Sequence, residues 1–405
     1  MRSCLESIPD ASKRVFVAFS GGLDSSVLLH LLVSERREFE LVPWHVNHGL
    51  LENAAQMEQF CIDQAQAYGL DIRLDHLDLA AVDSNIEAIA RRQRYQLFAQ
   101  RTQAGDCILT AHHADDQAET FLLNALRGSG VAGLRGIASR RYLGETLLLR
   151  PLLRYSRDQL EAYANQHEVA WFNDPSNQNL RFDRNYLRKQ VLPLIKIRWP
   201  NFHNALSTSS QIQSETQELL SEVAQQDYAA LQVPGGSGQA RLDLNGLLSL
   251  SPGRRKNLVR YWIESAGFTA LPQARLEELM QQLQARPDAL PEISMSDYSI
   301  RIYDQQLFLV SAARVQHRGG EFDFGLNPVI EIDQRDLRLT RQEIFQRLDI
   351  RDQDQSLTLR FRQPGAPNSD NHRLKRLFQQ HRVPPWERAL TAQVYLDGRL
   401  EGLLL

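Results

Sequence analysis

The sequence predicts an α/β chain. A doubly wound parallel sheet at the N-terminus is followed by a mostly helical middle domain and a small α+β C-terminal domain. Three observations carry this. The run Val15-Phe16-Val17-Ala18-Phe19 is apolar and β-favouring, breaks at Gly21-Gly22, and resumes with apolar residues at helical spacing to Leu32. Strand-then-helix units repeat up to residue 111. Beyond residue 200 come long polar and basic helical stretches, and the chain closes on short alternating strands.

The first break is a candidate site. Ser20-Gly21-Gly22-Leu23-Asp24-Ser25-Ser26 can turn several backbone N–H groups and hydroxyls toward one point, at the positive end of the following helix. The glycines allow positive φ and close approach of a ligand. Such a loop suits a phosphate chain. It lacks the Lys of a Walker loop. Asp24 would repel phosphate, so it either holds Mg²⁺ or contacts a cationic group.

Next come a strand at Glu40–His48, a helix from Asn53 to Tyr68, a strand at Asp71–Leu77, a helix from Glu87 to Gln103 and a strand at Asp106–Ala111. In such sheets ligands sit beyond the carboxyl ends of the strands, which groups the Ser20 loop, the His45–His48 end and the His112 segment at one edge. His112, Asp116 and Glu119 are spaced to share one helix face. The acids suit Mg²⁺ or a cationic amine; as helix-start acids they would also balance the dipole. Arg91, Arg94 and Arg127 are candidates for phosphate or substrate, and Arg181, Arg184, Arg188, Lys189, Lys196 and Arg198 make a basic end to this domain. Ser156 with Gln159 reads as a capping box, and Asp174-Pro175-Ser176-Asn177 as a turn.

With 405 residues the expected domains are 1–200, 201–320 and 321–405. No apolar run approaches the ~20 residues a membrane span needs, and the first residues show no signal-peptide apolar segment, so a cytoplasmic location is expected. Cys4, Cys61 and Cys107 form no CxxC, which favours buried, inert thiols. The net charge of −3 does not announce a nucleic-acid binder, so charge has to be read locally.

Phe202–Tyr228 reads as a connecting helix, and Ser251–Gly267 as a helix bearing Arg254, Arg255, Lys256 and Arg260. Another helix spans Leu271–Gln284, with a strand pair at Tyr298–Tyr303 and Leu307–Val310. Gly319–Asp336 holds turns and extended pieces. Ser356–Arg362 alternates like a strand, Asn371–Arg382 is a basic helix with Arg373, Lys375 and Arg376, and two strands close around Asp397-Gly398.

These strings together resemble the bacterial tRNA(Ile)-lysidine synthetases, a family of the PP-loop ATP pyrophosphatase superfamily. The matching elements are SGGLDSS (20–26), HVNHGL (45–50), Ala90-Arg91…Arg94-Tyr95, HHADDQAET (112–120), LRGSG (126–130), RPLL (150–153) and DPSN…RN..LR (174–188). The C-terminal Leu374-Lys375-Arg376-Leu377 and Val383–Trp386 also match.

The resemblance implies an ATP-dependent ligase. ATP adenylates the C2 oxygen of the wobble cytidine of tRNA(Ile) with a CAU anticodon. Free L-lysine then displaces AMP, and the modified anticodon reads AUA instead of AUG. It further implies ATP at Ser20–Ser26, Mg²⁺ at Asp24 and Asp116, lysine at Asp116 and Glu119, and catalytic roles for Asp24, Asp116, Arg91 and Arg127. By the same resemblance, tRNA is expected at Arg184, Arg188, Arg254, Arg255, Arg373, Lys375 and Arg376. The oligomeric state stays open, a homodimer included. A tRNA thiolase would need catalytic cysteines or an iron–sulfur site. A nucleotide-binding regulator would bind ATP without tRNA-dependent turnover.

Overall fold

Strand β1 (Arg14–Ala18) lies inside a six-stranded sheet. The computed structural model describes residues 2–404 other than 36–38, 50–52, 78–85, 174–179, 181–182, 235–239, 284–290, 313–320, 324–328, 333–336, 349–355 and 362–369. Around β1, the chain runs α1 (Leu23–Ser34), β2 (Glu40–Asn47), α2 (Ala54–Ala67), β3 (Arg73–His76), α3 (Ile86–Arg101) and β4 (Asp106–Leu109). It continues through α4 (Ala114–Leu126), α5 (Val131–Leu134), β5 (Arg140–Leu143), β6 (Thr146–Leu149) and α6 (Arg157–Gln166).

The strand order is β3-β2-β1-β4-β6-β5. Every neighbouring pair is parallel except β5–β6. The antiparallel β5 adds an edge strand to the expected doubly wound parallel sheet. Gly144, at φ 60, makes the tight reversal that turns β5 directly into β6.

β1 alternates, as a strand must. Val15 and Val17 enter a core with Val27, Leu28, Leu31 and Leu160, whereas Phe16 packs with Trp44, Phe98, Ile108 and Leu148. Both faces are therefore buried under helices, the doubly wound arrangement that the sequence predicts. Ala18 stands opposite Trp44, and Val17 opposite Leu109, so the segments after β1, β2 and β4 emerge together at one edge.

The chain divides into two units, Met1–Glu218 and Leu219–Leu405. The first unit ends with α7 (Asp183–Tyr186), a π-helical turn at Leu187–Val191, α8 (Leu192–Arg198) and the start of α9 (Phe202–Leu231). Leu192 and Phe202 bury against Ala118 of α4. The turn expected at Asp174–Asn177, Arg181 and the glycine stretch 235–238 lie outside the described residues.

In the second unit β7 (Arg241–Asp243) leads into α10 (Leu244–Ser249), α11 (Pro252–Ser265), α12 (Gln273–Gln282), β8 (Glu292–Ser294), β9 (Tyr298–Tyr303) and β10 (Gln306–Ser311). The helices pack through Trp262, Leu258 and Leu276 on an antiparallel sheet ordered β7-β10-β9-β8. Beyond it are β11 (Glu321–Asp323), the hairpin β12 (Val329–Ile332) and β13 (Leu337–Thr340), α13 (Arg341–Arg347), β14 (Leu357–Arg360), α14 (Asn371–Gln380), β15 (Ala392–Leu396) and β16 (Arg399–Leu404). A sheet ordered β11-β14-β15-β16 holds this end. Asp397 and Gly398 both have positive φ (46 and 77), as a two-residue hairpin turn requires. Trp386 packs edge-on against Phe308, with ring centroids 5.3 Å apart, and the Arg301 guanidinium lies 5.2 Å from its ring.

Candidate active site

The loop after β1 is braced by its own hydroxyls. Ser25 Oγ donates to the Gly22 carbonyl at 3.0 Å and meets Ser20 Oγ at 3.1 Å; Ser26 Oγ donates to the Gly21 carbonyl at 3.2 Å. These hydroxyls thus shape the turn. No side chain caps the start of α1, so its first amides point outward from the helix end as an anion site. Gly21 has φ 77, and a Cβ there would sit 3.0 Å from Cys61 Sγ and 3.1 Å from Phe60 Cδ1. Gly21→Ala is expected to cost about 1–2 kcal/mol of stability and to weaken ATP binding measurably. Urea unfolding and calorimetric ATP titration check both.

Asp24 and Asp116 converge on one imidazole. His113 Nε2 lies 3.5 Å from Asp24 Oδ2 and 3.6 Å from Asp116 Oδ2. His113 is the N-cap of α4: its Nδ1 accepts the Asp115 amide at 3.2 Å, while Asp116 Oδ2 accepts the His113 amide at 3.1 Å. Burial disfavours the imidazolium, but Asp116, Asp115 and Asp24 outweigh it and push the pKa up to about 10. Capping asks for a bare Nδ1, and the carboxylates ask for a charged ring; the two demands compete at one nitrogen. Burial likewise opposes ionisation of Asp116, but His113, His112, Arg184 and Arg188 hold its carboxyl below the usual range. Asp24 Oδ1 is buried with no hydrogen-bond partner.

Glu119, one helical turn on, is fully buried. Arg188 Nε donates to its Oε1 at 2.6 Å, and Arg184 Nε to its Oε2 at 3.1 Å. Both oxygens are taken, so a lysine would have to displace an arginine to reach this carboxylate. Burial raises the Glu119 carboxyl, and the two guanidiniums work against that rise. Arg188 Nη2 also lies 3.3 Å from Asp116 Oδ1. Arg184 and Arg188 thus sit in the acidic centre.

The other side of the edge is cationic. Arg91, Arg94 and Tyr95 of α3 face Arg150 at the end of β6, and the Arg141 guanidinium lies 4.2 Å from the Tyr95 ring centroid. His112 precedes α4 and bonds Thr110 Oγ1 through Nδ1 at 2.9 Å, so it does not share a helix face with Asp116 and Glu119. This corrects the expected spacing: the helix begins two residues later than the pattern implied. Burial first, then Arg150, Arg91 and Arg94, lower His112 to about 3; burial, Arg94 and His45 lower His48 to about 4.

A histidine lowered on folding stabilises the fold above its ordinary value of 6.5, and that contribution is lost as pH falls toward the folded value. Melting temperature is therefore expected to drop between pH 6.5 and 4. His48→Asn should flatten that drop, which a pH series of melting curves reads directly.

Sequence reasoning missed His113, Asp115 and Arg157. Asp115 accepts the Arg157 amide at 2.8 Å and bonds His203 at 2.8 Å, tying α4 to α6 and α9. The signal available was a polar N-cap followed three residues later by an acid.

Arg127 lies elsewhere: it caps the far end of α4, about 16 Å along the axis from Asp116, and pairs with Asp183 at 3.0 Å. In the second unit Arg254 forms an ion pair with Asp227, and Arg255 donates to the Leu250 carbonyl at 2.8 Å. Arg373, Lys375 and Arg376 are exposed on α14, opposite buried Leu374 and Phe378.

Three family models match in order: a PP-loop domain over residues 2–195, a TilS substrate binding domain over 242–308 and a TilS substrate C-terminal domain over 357–401. The tRNA(Ile)-lysidine synthase of Serratia proteamaculans is 38% identical over 403 residues, covering 97% of this chain and 91% of that protein. The protein of the same name from Pectobacterium atrosepticum is 35% identical over 395 residues, covering 95% and 88%. That from Salmonella typhimurium is 35% identical over 408 residues, covering 96% and 91%. With three family models in order and relatives matched over nearly the whole length, the chain belongs to the tRNA(Ile)-lysidine synthase family.

Proposed function

We propose that the chain joins the ε-amine of L-lysine to C2 of the wobble cytidine of tRNA(Ile) with a CAU anticodon, using ATP. The observation that carries this reading is the meeting of Asp24, from the glycine loop, with Asp116, from α4, across His113. A phosphate-binding loop and a site for a cationic amine share one edge of the sheet.

The C2 carbonyl oxygen attacks the α-phosphorus of ATP; a P–O bond forms and pyrophosphate leaves. The lysine ammonium gives up a proton to water; the free amine then forms the C–N bond at C2, the C2–O bond breaks to release AMP, and the nitrogen sheds its surplus proton to water. The amides of Ser20–Ser26 and the α1 dipole hold the phosphates. Asp116 draws the lysine amine by charge. Glu119 enters by fixing Arg188 beside Asp116.

The donor set fits Mg²⁺: two carboxylates converge on His113, and one has a buried, unpartnered oxygen, a hard-oxygen pair that suits a divalent cation. Asp24 and Asp116 would hold it, and when bound it neutralises charge on the phosphates.

Arg373, Lys375 and Arg376 are proposed to meet tRNA phosphates. Reversing all three charges is expected to weaken tRNA binding and reduce its salt slope by about 3, with ATP affinity unchanged. Filter binding across a salt series measures this.

The primary test is incorporation of labelled lysine into an unmodified isoleucine tRNA transcript with a CAU anticodon, beside a methionine tRNA. Transfer to the first alone is the expected result. AMP release that depends on tRNA without lysine transfer would mean another nucleophile.

A further inference from the structure

Among the described residues, the buried Arg150 and the half-buried Arg94 are cations without a paired anion. Arg150 is 5% exposed and its Nη1 donates to the Ala138 carbonyl at 2.5 Å, leaving Nε without a partner. Arg94 Nε and His48 Nδ1 are also buried and unpartnered, and the Tyr95 phenol interacts with the Arg94 and Arg150 guanidiniums. Among the described residues, no carboxylate lies within ion-pair distance of Arg91, Arg94, Arg141 or Arg150. Burying Arg150 beside a second, half-buried guanidinium is costly unless an anion completes the cluster.

We infer that Arg94, Arg150, Tyr95 and His48 form a second phosphate-binding pocket, separate from the glycine loop. The donors come from three different segments: the end of β2, the face of α3 and the end of β6. Two guanidinium forks with a phenol and an imidazole offer more donors than a carboxylate can use, whereas a phosphate group accepts on several oxygens at once. The pocket lies on the α3 face of the sheet, while the glycine loop opens into α1 on the other face. Its field acts on neighbouring groups too. Burial alone would raise the Tyr95 phenol, but Arg91, Arg150 and Arg94 outweigh it and the net direction is downward.

The identity of the phosphate rests on the proposed function, under which it comes either from ATP or from the RNA backbone. The existence of the pocket is tested without that reading. Tyr95 ionisation is followed at 295 nm as the difference between the full chain and Tyr95→Phe, with and without millimolar inorganic pyrophosphate. Pyrophosphate is expected to move the Tyr95 transition to higher pH, and Arg150→Gln to abolish that movement. A Tyr95 transition that ignores pyrophosphate overturns the pocket.

The source is then read from two affinities in Arg150→Gln and, independently, Arg94→Gln, each first shown to melt as the unaltered chain does. An about ten-fold loss of ATP affinity with tRNA affinity unchanged assigns the nucleotide. The reverse pattern assigns an RNA phosphate. Unchanged affinity for both in both variants overturns the pocket. Absence of lysine transfer would bear on the reaction alone, since none of these measurements requires turnover.

Discussion

Asp116→Asn is expected to lower lysine transfer by roughly 10³-fold while leaving the fold intact. The amide keeps an oxygen for the His113 N–H, so the start of α4 stays capped. What disappears is the negative charge near Asp24 that is proposed to draw the lysine amine. Asp115→Asn provides the contrast. Asp115 bonds the Arg157 amide and His203, so its loss should show first as a lower melting temperature. Lysine incorporation and thermal melting on the two variants separate these effects. A near-normal transfer rate in Asp116→Asn would remove Asp116 from the reaction.

Glu119→Ala is expected to destabilise the first unit by about 3 kcal/mol. The fully buried carboxylate holds two guanidiniums, at 2.6 and 3.1 Å, and its removal leaves Arg184 without a carboxylate and Arg188 with Asp116 alone, at 3.3 Å. Arg184 and Arg188 are each about three-tenths exposed, so water relieves part of the loss, which places the cost at the low end for a broken buried pair. Removing charge from both sides, as Glu119→Leu with Arg188→Met, should recover part of the stability. Urea unfolding of the single and double variants measures the difference.

Much of this arrangement is readable in the chain because the signals are local. In β1, alternating Val15, Phe16 and Val17 and then Gly21-Gly22 announce strand and loop within a few residues. Asp397-Gly398 declares its hairpin equally locally. The unread parts depend on distance along the chain. β5 has Arg140, Arg141 and exposed Tyr142 where a strand pattern would need apolar residues, and it exists because β6 pairs with it. Arg188 looks like part of a basic surface until folding brings it to Glu119, 69 residues earlier. His113 reads as one of two neighbouring histidines; only the approach of the Ser20 loop reveals which one faces Asp24.

The π-helical turn at Leu187–Val191 gives this region a length requirement. Its hydrogen bonds span one residue more than an ordinary helical turn, so the segment carries a single surplus residue. Arg184 lies ahead of the surplus, on Glu119; Leu192 lies behind it, on Ala118 and Phe202. Deleting one residue would restore the ordinary ladder and rotate one half against the other by about 100°. Either the arginine or the leucine would then lose its place. Side-chain changes within the turn are therefore a matter of chemistry, whereas its residue count is a matter of phase, and a gap one residue wide here needs a compensating insertion nearby.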